Sequence, residues 1–321
     1  MRILIVGGTR FVGRHITAAA VAAGHDVTLL HRRPSDLFPT SEHLLTDRNE
    51  DLSALHGRQF DATVDVSAYY PRQVKALAQA LGDGAGQYVF ISSVSAYGQP
   101  DGPGYSEQSR LHEPIDPEPE KVTNDNYGPL KVMCEQAAVE AFGPSTLIIR
   151  PTYVIGPLDY TGRFTYWVHR IAAGGEVLAP GKPEWGLQVI DGRDLGDWTV
   201  RMVERAAPGA FHTVHPAPPF GFKDMLDTIA ATVAPAGTTI TWVDPEFVTE
   251  QELGALLPLW PEGELESVLS AADPSAALGA GLVPRSLAES IKDTLDHEPV
   301  PTTFLSPERE AEALKAWHER S

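Results

Sequence analysis

The chain has 321 residues, 42% of them hydrophobic and 21% charged, with a formal net charge of -18. That composition belongs to an ordinary globular protein with room for one large domain or two moderate ones. The negative charge argues against nucleic acid or an anionic membrane surface as the main partner, because both require basic patches. The one cysteine, Cys134, excludes internal disulfides and fits a reducing, cytoplasmic setting, and no run approaches the roughly 20 apolar residues of a membrane span.

In chain order, RILIV predicts a buried strand and not a signal peptide. Phe11 to Ala23 follows as an alanine-rich helix. DVTLLH, HLLT, DATVDVS and QYVFISS predict four further strands, with the helical periodicity of QVKALAQAL between the last two. A helix beginning near Tyr127 precedes a sixth strand, STLIIRP. Strand–helix alternation of this kind predicts a doubly wound, Rossmann-type α/β fold with a parallel sheet covered on both faces. Beyond Pro157 the pattern loosens into aromatic, glycine- and proline-rich stretches, the expectation being a smaller C-terminal substrate lobe. LQVID and GRDLGDWTVRMVERA then read as a strand and a helix, and AFHTVHP as one more strand of the main sheet. The expected domains are 1–156, completed by about 187–215, as the dinucleotide-binding part, and 157–186 with 216–300 as the substrate lobe. A linker and closing helix occupy 301–321, with Ser306 as N-cap and Pro307 in the first turn.

The run GGTRFVG joins the first strand to the first helix. Glycine at positions 7 and 13 allows a tight turn and close helix-to-strand packing, and a helix start offers N–H groups and a positive dipole end to a phosphate. The second strand ends LLHRRPSD, placing Arg32 and Arg33 where NAD-binding folds carry a carboxylate for the ribose. Together with Arg10 they form three cations suited to a 2′-phosphate, since the guanidinium fork binds phosphate oxygens bidentately. This predicts NADP as cofactor, with NAD the alternative. In NYGPLK, Tyr127 and Lys131 stand one helical turn apart. An ammonium beside a phenol favours the phenolate, so the pair can pass a proton to or from a substrate oxygen. The strand in YVFISSVSAYG delivers Ser92 and Ser93 to the end of the sheet where ligands bind.

GGTRFVG, ISSVSAYG, YGPLK, IIRPTYVIGP and VIDGRDLGDW, in that order, resemble the extended short-chain dehydrogenase/reductases of the epimerase/dehydratase-like type. The variant loop with HRR resembles an atypical branch that includes chloroplast stem-loop RNA-binding proteins. The resemblance implies that Ser93 polarises the substrate oxygen, Tyr127 is the acid/base, and Lys131 also holds the nicotinamide ribose. It implies that Asp47 meets the adenine amino group. The cofactor-binding candidates are Gly7, Gly8, Thr9, Arg10, Phe11, Val12, Gly13, Arg32, Arg33, Asp47, Arg48, Ser67 and Lys131. Two departures bear on substrate: Tyr153 stands where nucleotide-sugar enzymes of the family carry an asparagine, and Leu187 where they carry a diphosphate-gripping arginine. A small carbonyl or alcohol is therefore expected rather than a nucleotide sugar, with hydride transfer from or to NADPH. The alternatives are an epimerase or dehydratase with tightly bound cofactor and, from another class, an RNA-binding or regulatory protein. Val94-Ser95 after Ser93, in place of Asp-Glu, counts against a dehydratase. No metal spacing occurs among the 11 histidines, and a homodimer or a monomer is expected.

Overall fold

The computed structural model describes residues 1–261 and 263–320. The chain divides into two units. The first comprises Met1–Val154, Val189–His215 and Ala272–Pro284, and the second Ile155–Gln188, Pro216–Ala271 and Arg285–Ser321.

The first unit is built on a seven-stranded sheet. Its strands are β1 (Arg2–Val6), β2 (Asp26–His31), β3 (Glu42–Leu45), β4 (Ala62–Asp65), β5 (Gln87–Ile91), β6 (Leu147–Pro151) and a final strand, Gly209–Thr213. The spatial order runs from Gly209–Thr213 through β6, β5, β4, β1 and β2 to β3, and every neighbouring pair is parallel. This is the expected doubly wound α/β fold. The chain builds outward from β1 to β3 and then returns to lay β4 on the other side of β1. The C-terminal ends of β1 and β4 therefore flank the switch point, the crevice in which such sheets take their ligands.

Successive side chains of a strand point to opposite faces, so apolar runs buried on both sides feed two cores. Ile3, Ile5, Leu29, Val64 and Ile149 pack with Ile16 of helix α1 (Phe11–Ala22) and with Leu195 and Trp198 of the helix Gly192–Glu204. Leu4, Val6, Leu30 and Phe90 pack on the other face with Val74 and Leu77 of α2 (Pro71–Leu81) and Ala138 of α3 (Asn124–Phe142). Each such fully buried aliphatic chain contributes about 1.5–3 kcal/mol relative to exposure. Helix α3 begins three residues before Tyr127, near which the sequence places its start. The Asn126 side-chain oxygen accepts from the Thr123 N–H at 2.8 Å, and Tyr127 N–H donates to the Thr123 carbonyl at 3.0 Å.

Residues 272–284 correct the expected boundary, which assigns 216–300 to the substrate lobe. They lie in the first unit because backbone partners hold them there: Asp273 N–H donates to the Tyr105 carbonyl at 2.9 Å, and Arg201 donates to the Gly281 carbonyl at 3.1 Å. Within the second unit, strands Glu176–Pro180 and Thr239–Val243 pair in parallel, and the helices Arg163–Ala172 and Phe222–Val233 accompany them. The closing helix, Pro307–His318, starts at the Ser306 cap as expected. It is anchored by a buried carboxylate, Glu310, which accepts from Arg170 Nε at 2.5 Å and from Leu178 N–H at 2.9 Å.

Candidate active site

At the end of β1 the backbone turns on Gly7 with φ of +92°, a conformation that L side chains rarely adopt. A Cβ at Gly13 would lie 2.1 Å from the Gly7 carbonyl oxygen, so only glycine lets the first turn of α1 close beneath the loop. Thr17 fastens this arrangement, donating to the carbonyls of Gly8 and Gly13. Phe11 opens α1 at φ of +37°, a strained position for an aromatic residue, with its ring buried against His15. Arg10 is the N-cap in extended conformation, its side chain makes no capping bond, and the first turn of α1 carries no acid. The positive end of a 12-residue helix is thus offered to an anion at the switch point. These features fit a dinucleotide pyrophosphate.

Ser67, after β4, stands against the same loop, its Cβ 3.0 Å from where a Gly7 Cβ would be. Asp47 accepts from Asn49 N–H at 2.9 Å, a bond that heads the causes holding its carboxyl below the ordinary value, and lies 3.6 Å from Arg32. Arg10, Arg32 and Arg33 are all exposed. Arg48 is placed otherwise than the sequence suggests. Its guanidinium is buried and grips Asp65 bidentately at 2.6 and 2.7 Å, with further bonds to Ser67 Oγ and the Gln73 carbonyl. Its two terminal amino groups are spent inside the protein, one of them on Ser67, and its Nε is buried without a hydrogen-bond partner among the described residues.

The chain beyond β5 separates the two serines. Ser92 is buried and donates to Glu135 at 2.5 Å, whereas Ser93 is half-buried and caps the single turn Val94–Ala96, accepting from Ser95 N–H at 3.1 Å. Opposite this turn lies α3. A Cβ at Gly128 would come 2.1 Å from the Ser95 carbonyl oxygen, so glycine at this position brings α3 against the turn carrying Ser93. Tyr127 is therefore held beside that turn, half-buried, on the first turns of α3.

One turn further, Lys131 is buried, and its ammonium donates to the Ile91 carbonyl at 2.9 Å and the Ala68 carbonyl at 3.2 Å. Nζ lies 5.7 Å from the centre of the Tyr127 ring and 5.2 Å from that of Tyr69. Burial pushes its pKa down from the ordinary lysine value. The structure thus brings Ser93, Tyr127 and Lys131 to one end of the sheet, at the C-terminal ends of β4 and β5.

Two features were not singled out in the sequence. Gly128 is one, since a close approach to a distant segment leaves no local pattern in the sequence. The other is a buried ionic network behind the site. Arg150 on β6 pairs bidentately with Glu135 on α3 and donates to the Tyr97 hydroxyl at 2.6 Å, and Tyr97 meets His212 Nε2 at 2.6 Å. Glu135 follows Lys131 by four residues, and that helical spacing was the available signal. Cys134 is buried and its thiol is pushed up to about 12 by burial, as suits packing rather than nucleophilic chemistry. Asp191 caps the helix Gly192–Glu204 by accepting from Arg193 N–H. Among the described residues no cluster of His, Cys, Asp or Glu could hold a metal ion, and no helix is long and apolar enough to cross a membrane.

The model of the NAD dependent epimerase/dehydratase family matches residues 3–212. Among solved structures, the chain is similar to UDP-N-acetylglucosamine 4-epimerase from Bacillus cereus, with 14% identity and a TM-score of 0.69 over 93% of this chain and 100% of that one. It is similar to UDP-glucuronic acid 4-epimerase from Bacillus cereus in complex with NAD, with 16% identity and a TM-score of 0.65 over 92% and 98%. It is also similar to the human epimerase family protein SDR39U1 with NADPH, with 18% identity and a TM-score of 0.65 over 92% and 99%. These three likenesses are of fold. Over 206 residues, 59% of this chain, it is 28% identical to the chloroplast stem-loop binding protein of 41 kDa b from Arabidopsis thaliana. The chain spans about half the length of that relative, the match taking in 50% of it.

Proposed function

The chain belongs to the NAD dependent epimerase/dehydratase family, and from that premise we propose that it is an oxidoreductase moving hydride between NADP(H) and a small carbonyl or alcohol. The observation that carries the proposal is the convergence of Ser93, Tyr127 and Lys131 beside a glycine loop shaped for a pyrophosphate. When bound, the dinucleotide supplies or accepts the hydride, and the protein's residues do the rest. The Ser93 hydroxyl donates to the substrate oxygen and orients it. The Tyr127 phenol gives that oxygen a proton in reduction and takes one from it in oxidation. The ammonium of Lys131, held by two carbonyls, stabilises the phenolate left behind.

Arg10, Arg32 and Arg33 support a cofactor carrying a 2′-phosphate, because an exposed arginine-rich turn stands where NAD-specific folds place a carboxylate. Leu187 supports a substrate other than a nucleotide sugar: it is fully buried and apolar at the position expected to grip a diphosphate. A second reading, an epimerase that oxidises and re-reduces one substrate, draws equal support from family membership and from the two 4-epimerases of similar fold. It uses the same three side chains but keeps its cofactor between turnovers. Denaturing the purified protein and assaying the supernatant for dinucleotide separates the two. The reductase reading expects protein that is largely cofactor-free and oxidises added NADPH with a carbonyl compound; a full equivalent of released dinucleotide would favour the epimerase.

A further inference from the structure

Next to the Arg32–Arg33 turn, the last residue of β2 and the second residue of β3 meet ring to ring. His31 Nε2 lies 2.8 Å from His43 Nδ1, with ring centres 5.0 Å apart and nearly perpendicular planes. The two outer nitrogens face carbonyl oxygens: His31 Nδ1 lies 2.7 Å from the oxygen of Arg33, and His43 Nε2 lies 3.2 Å from that of Phe38. A carbonyl oxygen only accepts, so each outer nitrogen carries a proton. A neutral imidazole has one N–H, and these two rings would then present bare lone pairs to each other at 2.8 Å. A hydrogen bond at that distance needs a third proton. Three protons on two rings make one positive charge.

We propose that His31 and His43 share one proton and form a cationic pair that supports the Arg32–Arg33 turn and strengthens binding of a 2′-phosphate there. The inference rests on the reading of that turn as the site for the cofactor's 2′-phosphate. His31 is bonded to the Arg33 carbonyl itself, so the charge sits against the backbone that presents both arginines, and it fixes the course of the turn. The charged groups on the elements around the pair are Arg32, Arg33 and Asp36 on its own strand and turn. On the β3 side they are Glu42, which is held by Arg58, and Asp47, which lies near Arg32. Helix α1, which packs on β2, adds Arg10 and Arg14. The arginines outnumber the free carboxylates there, and with the charged pair they make a cationic cluster that an anion completes.

The test has two arms. Nitrogen-15 spectra of the histidine rings of the ligand-free wild type count protons directly and need neither variant nor activity. The expected spectrum shows both outer N–H groups plus a third, shared proton at neutral pH; two neutral rings would overturn the proposal. The second arm titrates wild type and His43→Gln, whose neutral amide can still donate to His31, with adenosine 2′,5′-bisphosphate and with adenosine 5′-monophosphate at neutral pH. The expected result is a loss of about three- to ten-fold in the bisphosphate preference of the variant, on the scale of one charge acting on a dianion near the surface. An unchanged preference in His43→Gln would overturn the pair's role while leaving the 2′-phosphate reading intact. A wild type that binds both nucleotides equally would overturn that reading, and the pair's binding role with it, while the proton count would still stand on the spectra.

Discussion

At Gly128 a methyl group would sit 2.1 Å from the Ser95 carbonyl oxygen, and an atom that close must displace either α3 or the turn bearing Ser93. Gly128→Ala should therefore separate Tyr127 from Ser93 without touching the glycine loop. Turnover should fall at least ten-fold with dinucleotide affinity nearly unchanged, because small errors in placing catalytic groups are costly. Steady-state kinetics beside calorimetry would check this, and wild-type turnover would refute the contact's importance. Tyr127→Phe should lower turnover by about 10²- to 10⁴-fold, the range for loss of a general acid, while cofactor affinity holds. Lys131→Ala should damage both. Both side chains were legible in the sequence because Y-x-x-x-K carries its chemistry in residue type and spacing. Gly128 was not, because a close approach between distant segments leaves no local pattern.

Among elements, the link from the segment after β3 to β4 is an ion pair. Burial opposes ionisation of Asp65, but the charge and hydrogen bonds of Arg48 outweigh it and hold the carboxyl below its ordinary value. The pair's contribution is thus present above the ordinary carboxylate range and is lost as pH falls through the lowered value. Arg48→Met leaves Asp65 buried without its counter-charge, with Tyr88 and the Ser67 N–H still donating to it. The expected cost is about 3–5 kcal/mol near neutral pH. Its sign of pH dependence should also invert, the variant gaining stability on mild acidification as the carboxyl takes a proton. Urea denaturation across pH tests this, and a wild-type profile would contradict it. Arginine at this position reads from the sequence as a ligand-binding cation because charged residues are seldom fully buried unless paired. Its partner lies 17 residues away, on another strand. The strands themselves were legible because their apolar runs are short and continuous, and the switch point followed from their alternation with helices. The return of residues 272–284 to the first unit was not, since it depends on contacts with residues far off in the chain, Tyr105 and Arg201, that leave no local pattern.

For the whole molecule, charge and site favour the same class of ligand. A net charge of -18 disfavours the approach of a polyanion such as RNA. The stem-loop binding named for the Arabidopsis relative is therefore not expected here. A structured RNA should show no saturable binding at near-physiological salt in a filter or mobility assay; tight binding that weakens steeply with added salt would restore that reading. The central claim, a nicotinamide-dinucleotide site completed by Ser93, Tyr127 and Lys131 with its arginine turn set for a 2′-phosphate, is met most directly by calorimetric titration of the purified protein with NADP⁺ and with NAD⁺. One saturable site per chain is expected, with NADP⁺ bound on the order of ten-fold more tightly, the equivalent of about 1.4 kcal/mol. Absence of binding by either dinucleotide would contradict the claim at its root, and equal affinity for both would remove the role assigned to the arginine turn.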